Sequence, residues 1–204
     1  MIQNFFVSLA YADDTYSLYY LLFSSAHDLW FISDMSKKIF CHIAQLSYLC
    51  TRIMMKKRVY FDMDNVIVDF QSGLDKIDDA TKQAYGDKPD NIPGIFGLME
   101  PMPGAIEALH RICEHYDCYI LSTAPWDNPS AWADKVRWVT THLGKLFYKR
   151  LIISHHKELL VGDYLVDDRP KNGASEFCGK WIQFGSPEFP DWAAVEDYLC
   201  QPEK

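Results

Sequence analysis

The sequence predicts an α/β protein, a parallel sheet with helices on both faces, and three observations carry that expectation. From Lys56 onward, short apolar runs rich in β-branched and aromatic residues alternate with amphipathic helical stretches. Alternation of this kind implies parallel strands joined by right-handed crossovers. Two of the apolar runs also end in paired acids, Asp62 with Asp64 and Asp167 with Asp168, and ligands of open parallel sheets gather beyond the carboxyl ends of the strands.

The elements follow in order. "RVYFD" reads as a buried first strand. The segment 71–98 breaks the rhythm with one polar helical piece, "SGLDKIDDATKQAYG", and a Pro/Gly-rich loop, "DKPDNIPGIFGL", so it reads as a small cap inserted above the ligand-bearing edge. "PGAIEALHRICEHY" has Pro103 at its start and Ile106, Leu109 and Ile112 on one face, as an amphipathic helix requires. "CYILS" is the second strand. The next helix, "NPSAWADKVRWVTTHLG", is expected to bury Trp132, Val136, Val139 and Leu143 and to stop at Gly144. "RLIIS", "YLVD" and "KWIQF" complete five strands, and "DWAAVEDYL" closes the chain as a helix with Trp192, Val195 and Leu199 inward. The catalytic core is thus expected over 54–70 and 99–204.

Residues 1–53 differ in kind. They hold eleven aromatics, no Gly and no Pro, and show no sustained period, while Met54 and Met55 stand just ahead of two lysines and the first strand. The segment reads as an upstream extension or an appended piece foreign to the domain.

Composition narrows the function classes. A formal charge of −8 without a Lys/Arg run argues against a nucleic-acid polymer as partner. The longest apolar windows fall short of the ~20 residues that a membrane span needs. "FFVSLAYA" ends in an A-x-A-like site but lacks a positive n-region. Six cysteines form no C-x-x-C pair, so they are expected to be reduced, buried, structural thiols in a cytoplasmic protein.

The four acids carry the chemistry. One Asp alone reads as a helix cap. Two pairs at the ends of two core strands would repel one another and shift upward in pKa unless a hard divalent cation resolves the conflict, and Mg²⁺ suits carboxylates plus a phosphate. Asp69 is expected at the root of the cap in a structural role. Adjacent His155 and His156 point to opposite faces, so a shared metal is not expected, although one of them would fit beside an anion pocket.

"FDMDNV" and "LVDDRP" resemble the first and fourth motifs of the haloacid dehalogenase superfamily, with "YILST" and the lysine of "SHHKELL" supplying the second and third in the expected order. The longer stretches "DMDNVIVDF", "MEPMPGAIEAL", "LSTAPW" and "LVDDRP" resemble the pyrimidine 5'(3')-deoxyribonucleotidases of the cytosolic type C family over most of residues 57–170. The resemblance implies a Rossmann-like three-layer core, strand order 3-2-1-4-5, with a helical cap after strand one. It implies Asp62 as nucleophile, Asp64 as general acid/base, and Ser122 and Lys157 as phosphoryl ligands. Superfamily dehalogenases lack the acid at the position of Asp64, so its presence points to phosphoryl transfer.

Mg²⁺ would be held by Asp62, the carbonyl of Asp64 and Asp168, with Asp167 acting through water. Phe70, Thr123, Arg169 and Phe96 would contact substrate, and Trp126 offers a further aromatic wall. Phe70 could equally be cap-hinge core, and Arg169 could simply pair with an acid. Asn65 stands where many members have Gly; Asn tolerates the left-handed backbone next best. The cap is shorter than that of the animal enzymes, which leaves pyrimidine and deoxyribose preference open.

The implied function is Mg²⁺-dependent hydrolysis of (deoxy)nucleoside monophosphates through an aspartyl-phosphate. The implied partner is a small phosphomonoester, with room for a homodimer. Two other readings remain at this stage: a phosphatase of another small phosphomonoester such as a sugar phosphate, and a non-catalytic partner-binding protein on the same fold.

Overall fold

The computed structural model describes residues 56–201. The extension expected at 1–53 lies outside the described residues. In chain order the strands are β1 (Arg58–Phe61), β2 (Val68–Asp69), β3 (Glu100–Pro101), β4 (Asp117–Ser122), β5 (Leu151–Ile153), β6 (Tyr164–Asp167) and β7 (Lys180–Gln183). The helices are α1 (Phe70–Leu74), α2 (Asp79–Tyr85), α3 (Ala105–His115), α4 (Pro129–His142) and α5 (Trp192–Cys200). Five strands form one parallel sheet in the order β5-β4-β1-β6-β7, which is the expected 3-2-1-4-5 arrangement. The protein is a three-layer α/β fold with its helical insertion after the first strand. Among the described residues no helix is long and apolar enough to cross a membrane.

Register divides the sheet into two faces. Val59, Phe61, Ile120, Val166 and Ile182 belong to one large core that also takes Leu109 and Ile112 of α3 and Trp192, Val195 and Leu199 of α5. Tyr60, paired with Tyr119 and Leu165, looks to the other face, where Ala174, Phe177 and Leu160 of the strand connections cover it. With β1 and β6 side by side at the sheet centre, the acid pairs that follow them are neighbours in space.

The insertion rises from the short antiparallel ladder of β2 and β3, Val68 opposite Pro101 and Asp69 opposite Glu100. One continuous polar helix was the expectation here; the structure has two short helices. Asp69 caps α1 by accepting from the Gln71 amide at 2.9 Å, and Asp78 caps α2 by accepting from the amide and hydroxyl of Thr81 at 2.9 and 2.7 Å. The side chain of Asp78 opens a new helix, so the first one ends before it. Gly73 lies where a Cβ would come within 2.9 Å of Met99 Cγ, so α1 packs on the β3 side at glycine distance.

The outer part of the insertion is pinned to α4. Asn128 Nδ2 donates to the carbonyls of Asp90 and Ile92 at 2.8 and 3.0 Å, the Gly94 amide donates to Ser130 Oγ at 2.8 Å, and the Trp138 indole donates to the Met99 carbonyl at 2.8 Å. Those contacts decide the rotation of α4. Val139 and Leu143 are buried as expected, but Trp132 and Val136 are 39% and 52% exposed, and Ala131, Lys135 and Trp138 face inward instead. Successive helical residues are 100° apart, so turning Lys135 and Trp138 toward their polar partners turns Val136 out. Gly144 ends this helix at φ 52°, a backbone conformation that favours glycine. The expectation of buried thiols holds for Cys118, whereas Cys113 and Cys200 are half-buried and Cys178 is exposed; these four are free, and Cys41 and Cys50 lie outside the described residues.

Candidate active site

The first strand stops at Phe61, and the Asp62 amide still donates to the Val166 carbonyl at 2.8 Å, which ties the start of the loop to β6. The chain then folds into a tight turn in which the Ile67 and Val68 amides both donate to the Met63 carbonyl at 2.9 Å. Asn65 sits in that turn at φ 57°, the left-handed conformation expected of it. This turn sets the Asp64 carboxylate apart from that of Asp62. Asp62, Asp167 and Asp168 instead converge, each offering a carboxylate oxygen within 4.8 Å of the others.

Two buried lysines serve these acids separately. Lys157 Nζ lies 3.0 Å from Asp62 Oδ1 and hydrogen-bonds Asp167 Oδ2. Lys135 Nζ lies 2.7 Å from both Asp64 oxygens and 3.1 Å from Ser122 Oγ, with its ammonium 4.5 Å above the Phe96 ring. The aromatic face adds a cation–π contact to a fully buried ammonium. Lys135 is the site residue that the sequence reading missed. Its signal was there: a lysine spaced with Ala131, Trp138 and Val139 along the inner stripe of a helix, where a cation needs an acid partner.

Burial raises the proton affinity of Asp64, and the neighbouring Asp62 charge raises it further, against the opposing pull of Lys135. Burial and the Asp62 charge lift Asp167 to about 7 despite Lys157. Asp168 is raised by burial and Asp62, with Arg169 opposing. Lys157 is held charged because Asp62 and Asp167 outweigh its own burial.

Thr123, Phe70, Phe96 and Arg169 line a cleft of about 760 Å³ that also takes in Asp62, Asp64, Lys157 and Asp167. Ser122 is fully buried at the end of β4, accepting from Lys135. Thr123 lines the cleft while its hydroxyl donates to the Ser154 carbonyl at 2.8 Å. Phe70 and Phe96 both line it, with ring centroids 6.0 Å apart. Arg169 lines the cleft and also pairs with Asp168, Nε to Oδ2 at 3.2 Å. His155 lies on the cleft, whereas His156 turns away to Glu158 at 2.9 Å.

A metal fits the three converging acids. The donors are all carboxylate oxygens, the set that a hard divalent cation prefers. Asp62 Oδ1 is buried and makes no hydrogen bond, its approach to Lys157 being an ion contact without hydrogen-bond alignment. A buried carboxylate oxygen left in that state costs free energy that a cation would recover.

Comparisons with known proteins bear on the family. Residues 90–194 match the family model described as "5' nucleotidase, deoxy (Pyrimidine), cytosolic type C protein", a span holding Ser122, Lys157, Asp167 and Asp168. A protein of Vibrio phage KVP40, provisionally named a 5'(3')-deoxyribonucleotidase, is 58% identical over 149 residues, 73% of this chain and 88% of the relative. The human 5'(3')-deoxyribonucleotidase, cytosolic type, is 29% identical over 153 residues, 61% of this chain and 76% of the relative. Among solved structures, a magnesium-bound hydrolase of the haloacid dehalogenase type from Bacillus subtilis superposes with a TM-score of 0.51 at 12% identity, covering 72% of this chain and 100% of that one, which is a likeness of fold. The chain belongs to the 5'(3')-deoxyribonucleotidase family, phosphoric monoester hydrolases built on the haloacid dehalogenase fold.

Proposed function

We propose that the protein is a Mg²⁺-dependent 5'(3')-deoxyribonucleotidase of the cytosol, hydrolysing (deoxy)nucleoside monophosphates. The observation that carries this reading is the separation of two acidic roles at one strand end. Asp62 lies in a three-acid cluster beside Lys157, while Asp64, two residues on, is held apart by Lys135 and pushed toward its protonated form. The cytosolic assignment rests on the name of the human relative.

In this mechanism Asp62 attacks phosphorus in line, and the bond to the leaving nucleoside oxygen breaks as the aspartyl-phosphate forms. Asp64 gives its proton to that oxygen, which needs the raised proton affinity described above. Asp64 then takes a proton from water, whose oxygen attacks the aspartyl-phosphate, releases phosphate and restores Asp62. Lys157 neutralises charge on Asp62 and the phosphoryl group, and Ser122 donates to a phosphoryl oxygen with Lys135 beside it. Thr123 contributes cleft surface next to Ser122, and Arg169 helps hold substrate. Phe70 and Phe96 supply apolar surface for the nucleoside. Mg²⁺ would be held by Asp62, Asp168 and the carbonyl of Asp64, with Asp167 acting through water, and would lower the cost of bringing a phosphate dianion to a carboxylate nucleophile.

The domain reading follows the same lines: a catalytic core over 54–70 and 99–204, and a small cap over 71–98. Phosphate release from a panel of nucleoside monophosphates and sugar phosphates, with and without Mg²⁺, tests the proposal. Turnover should require the metal and favour nucleotides; a sugar phosphate preferred tenfold or more over dTMP and dUMP would replace it.

A further inference from the structure

Trp126 is 79% exposed, the most exposed large apolar side chain among the described residues, yet it lines the same cleft as Asp62 and Lys157. A ring of that size left in water is unfavourable surface, and a tryptophan at a cleft mouth is well suited to being covered by a flat ligand. Its position is set from both sides. The loop that carries it, 123–128, is tied at one end by the Thr123 hydroxyl to the Ser154 carbonyl and at the other by Asn128 to the carbonyls of Asp90 and Ile92. His155 meets the indole edge to face with ring centroids 5.9 Å apart, and the Trp132 ring of α4 lies 6.5 Å from that of His155. An exposed ring held by this much structure is preorganised for contact, so little ordering cost remains when a ligand arrives.

We propose that Trp126, braced by His155, is a specificity-determining residue: it stacks on the nucleobase and makes the enzyme select phosphomonoesters that carry an aromatic ring. This rests on the nucleotidase reading above and goes beyond it by giving base contact to the loop after β4, separate from Phe70 and Phe96 at the cap. A π face carries no donor or acceptor pattern, so this wall recognises a ring and does not distinguish purine from pyrimidine.

Steady-state kinetics of wild type, Trp126→Ala, Trp126→Phe and His155→Ala on dTMP, dAMP and deoxyribose 5-phosphate test the proposal, alongside tryptophan emission during titration with thymidine. Loss of a stacked ring typically weakens binding by roughly tenfold or more. Trp126→Ala should therefore raise KM for dTMP and dAMP by about that factor with kcat little changed. Deoxyribose 5-phosphate, which has no aromatic ring, should move less than about twofold, since no stacking is lost. Trp126→Phe should recover most of the loss, and His155→Ala should show a smaller shift of the same kind. Thymidine should quench wild-type emission, with most of the quench absent in Trp126→Phe. Equal losses on the substrate without a base and on the two nucleotides, or an unchanged KM for both nucleotides, would overturn the proposal. A wild type that turns over no nucleotide overturns the functional reading instead; the wall is then judged by the thymidine titration, and absent quenching overturns it too.

Discussion

The two ends of the central sheet are built from the same residue types and reach opposite electrostatic states. At the amino end, Asp117 accepts from Arg58 Nε and Nη2 at 3.1 Å each and from Arg150 Nη1 at 2.6 Å. Both guanidinium groups also lie over the Tyr119 ring, at 5.4 and 4.7 Å from its centroid. Burial alone would raise the Asp117 pKa, but the hydrogen bonds from Arg150 and Arg58 win and lower it. At the carboxyl end, four acids share two buried lysines and a half-exposed arginine, and Asp64, Asp167 and Asp168 are all raised. One end has more donors than its acid needs; the other keeps an acid surplus at the edge of the cleft. Structural ion pairs relax toward the first state, and a site that must take up a metal and a dianionic substrate works from the second.

The sharpest way to break the comparison is at Asp62. Asp62→Asn should lower phosphate release by about a thousandfold or more, the scale of losing a nucleophile. Its thermal midpoint should stay level or rise, because one charge of the acid surplus is gone. Turnover within tenfold of wild type would remove Asp62 from the mechanism.

Lys135→Met comes next. It leaves the Asp64 carboxylate buried without its cation, which costs about 3 kcal/mol when one partner of a buried pair is removed. Pairing it with Asp64→Asn should restore most of that stability in a denaturant melt without restoring kcat. A double variant no more stable than Lys135→Met alone would mean that the pair does not couple.

The two ends should also respond to pH with opposite sign. Asp167 rises from about 3.9 in an unfolded chain to about 7 in the fold. Its raised value favours the folded state fully below pH 4, and that contribution is lost as pH climbs toward 7. Asp117 is lowered, so its contribution is present above its unfolded pKa and is lost as pH falls through the folded value. In metal-free protein, Asp167→Asn should therefore flatten the fall in melting temperature between pH 5 and pH 8. Mg²⁺ should stabilise the wild type more at pH 8 than at pH 5, since the acids must ionise to bind it. An equal Mg²⁺ shift at both pH values would contradict the three-acid site.

Asp117→Asn should have the smallest effect, a loss of about 1 kcal/mol after discounting for its partial exposure. The kinetics should stay within twofold of wild type, because the residue stands at the far end of the sheet. A larger change in kcat would show that the two ends are coupled.

What the sequence alone determined is what depends on near neighbours in the chain. Strand and helix alternation is a matter of period, and Asp62, Asp64, Asp167 and Asp168 could be placed because a residue at a strand end stays at the sheet edge whatever the rest does. The left-handed Asn65 and the cap-root Asp69 were legible for the same local reason. Tertiary structure decided whatever depends on which partner a side chain meets. Lys135 stands more than seventy positions from Asp64, and no period reveals that pairing. The rotation of α4 that exposes Trp132 and Val136 follows from it and from the Trp138 hydrogen bond to Met99. The break between α1 and α2 lies between these cases, since a capping aspartate can start a new helix or sit within one, and its geometry settled the choice. Periodicity says how many apolar faces a helix has; the deep free-energy cost of an unpaired buried charge says which way the helix must turn.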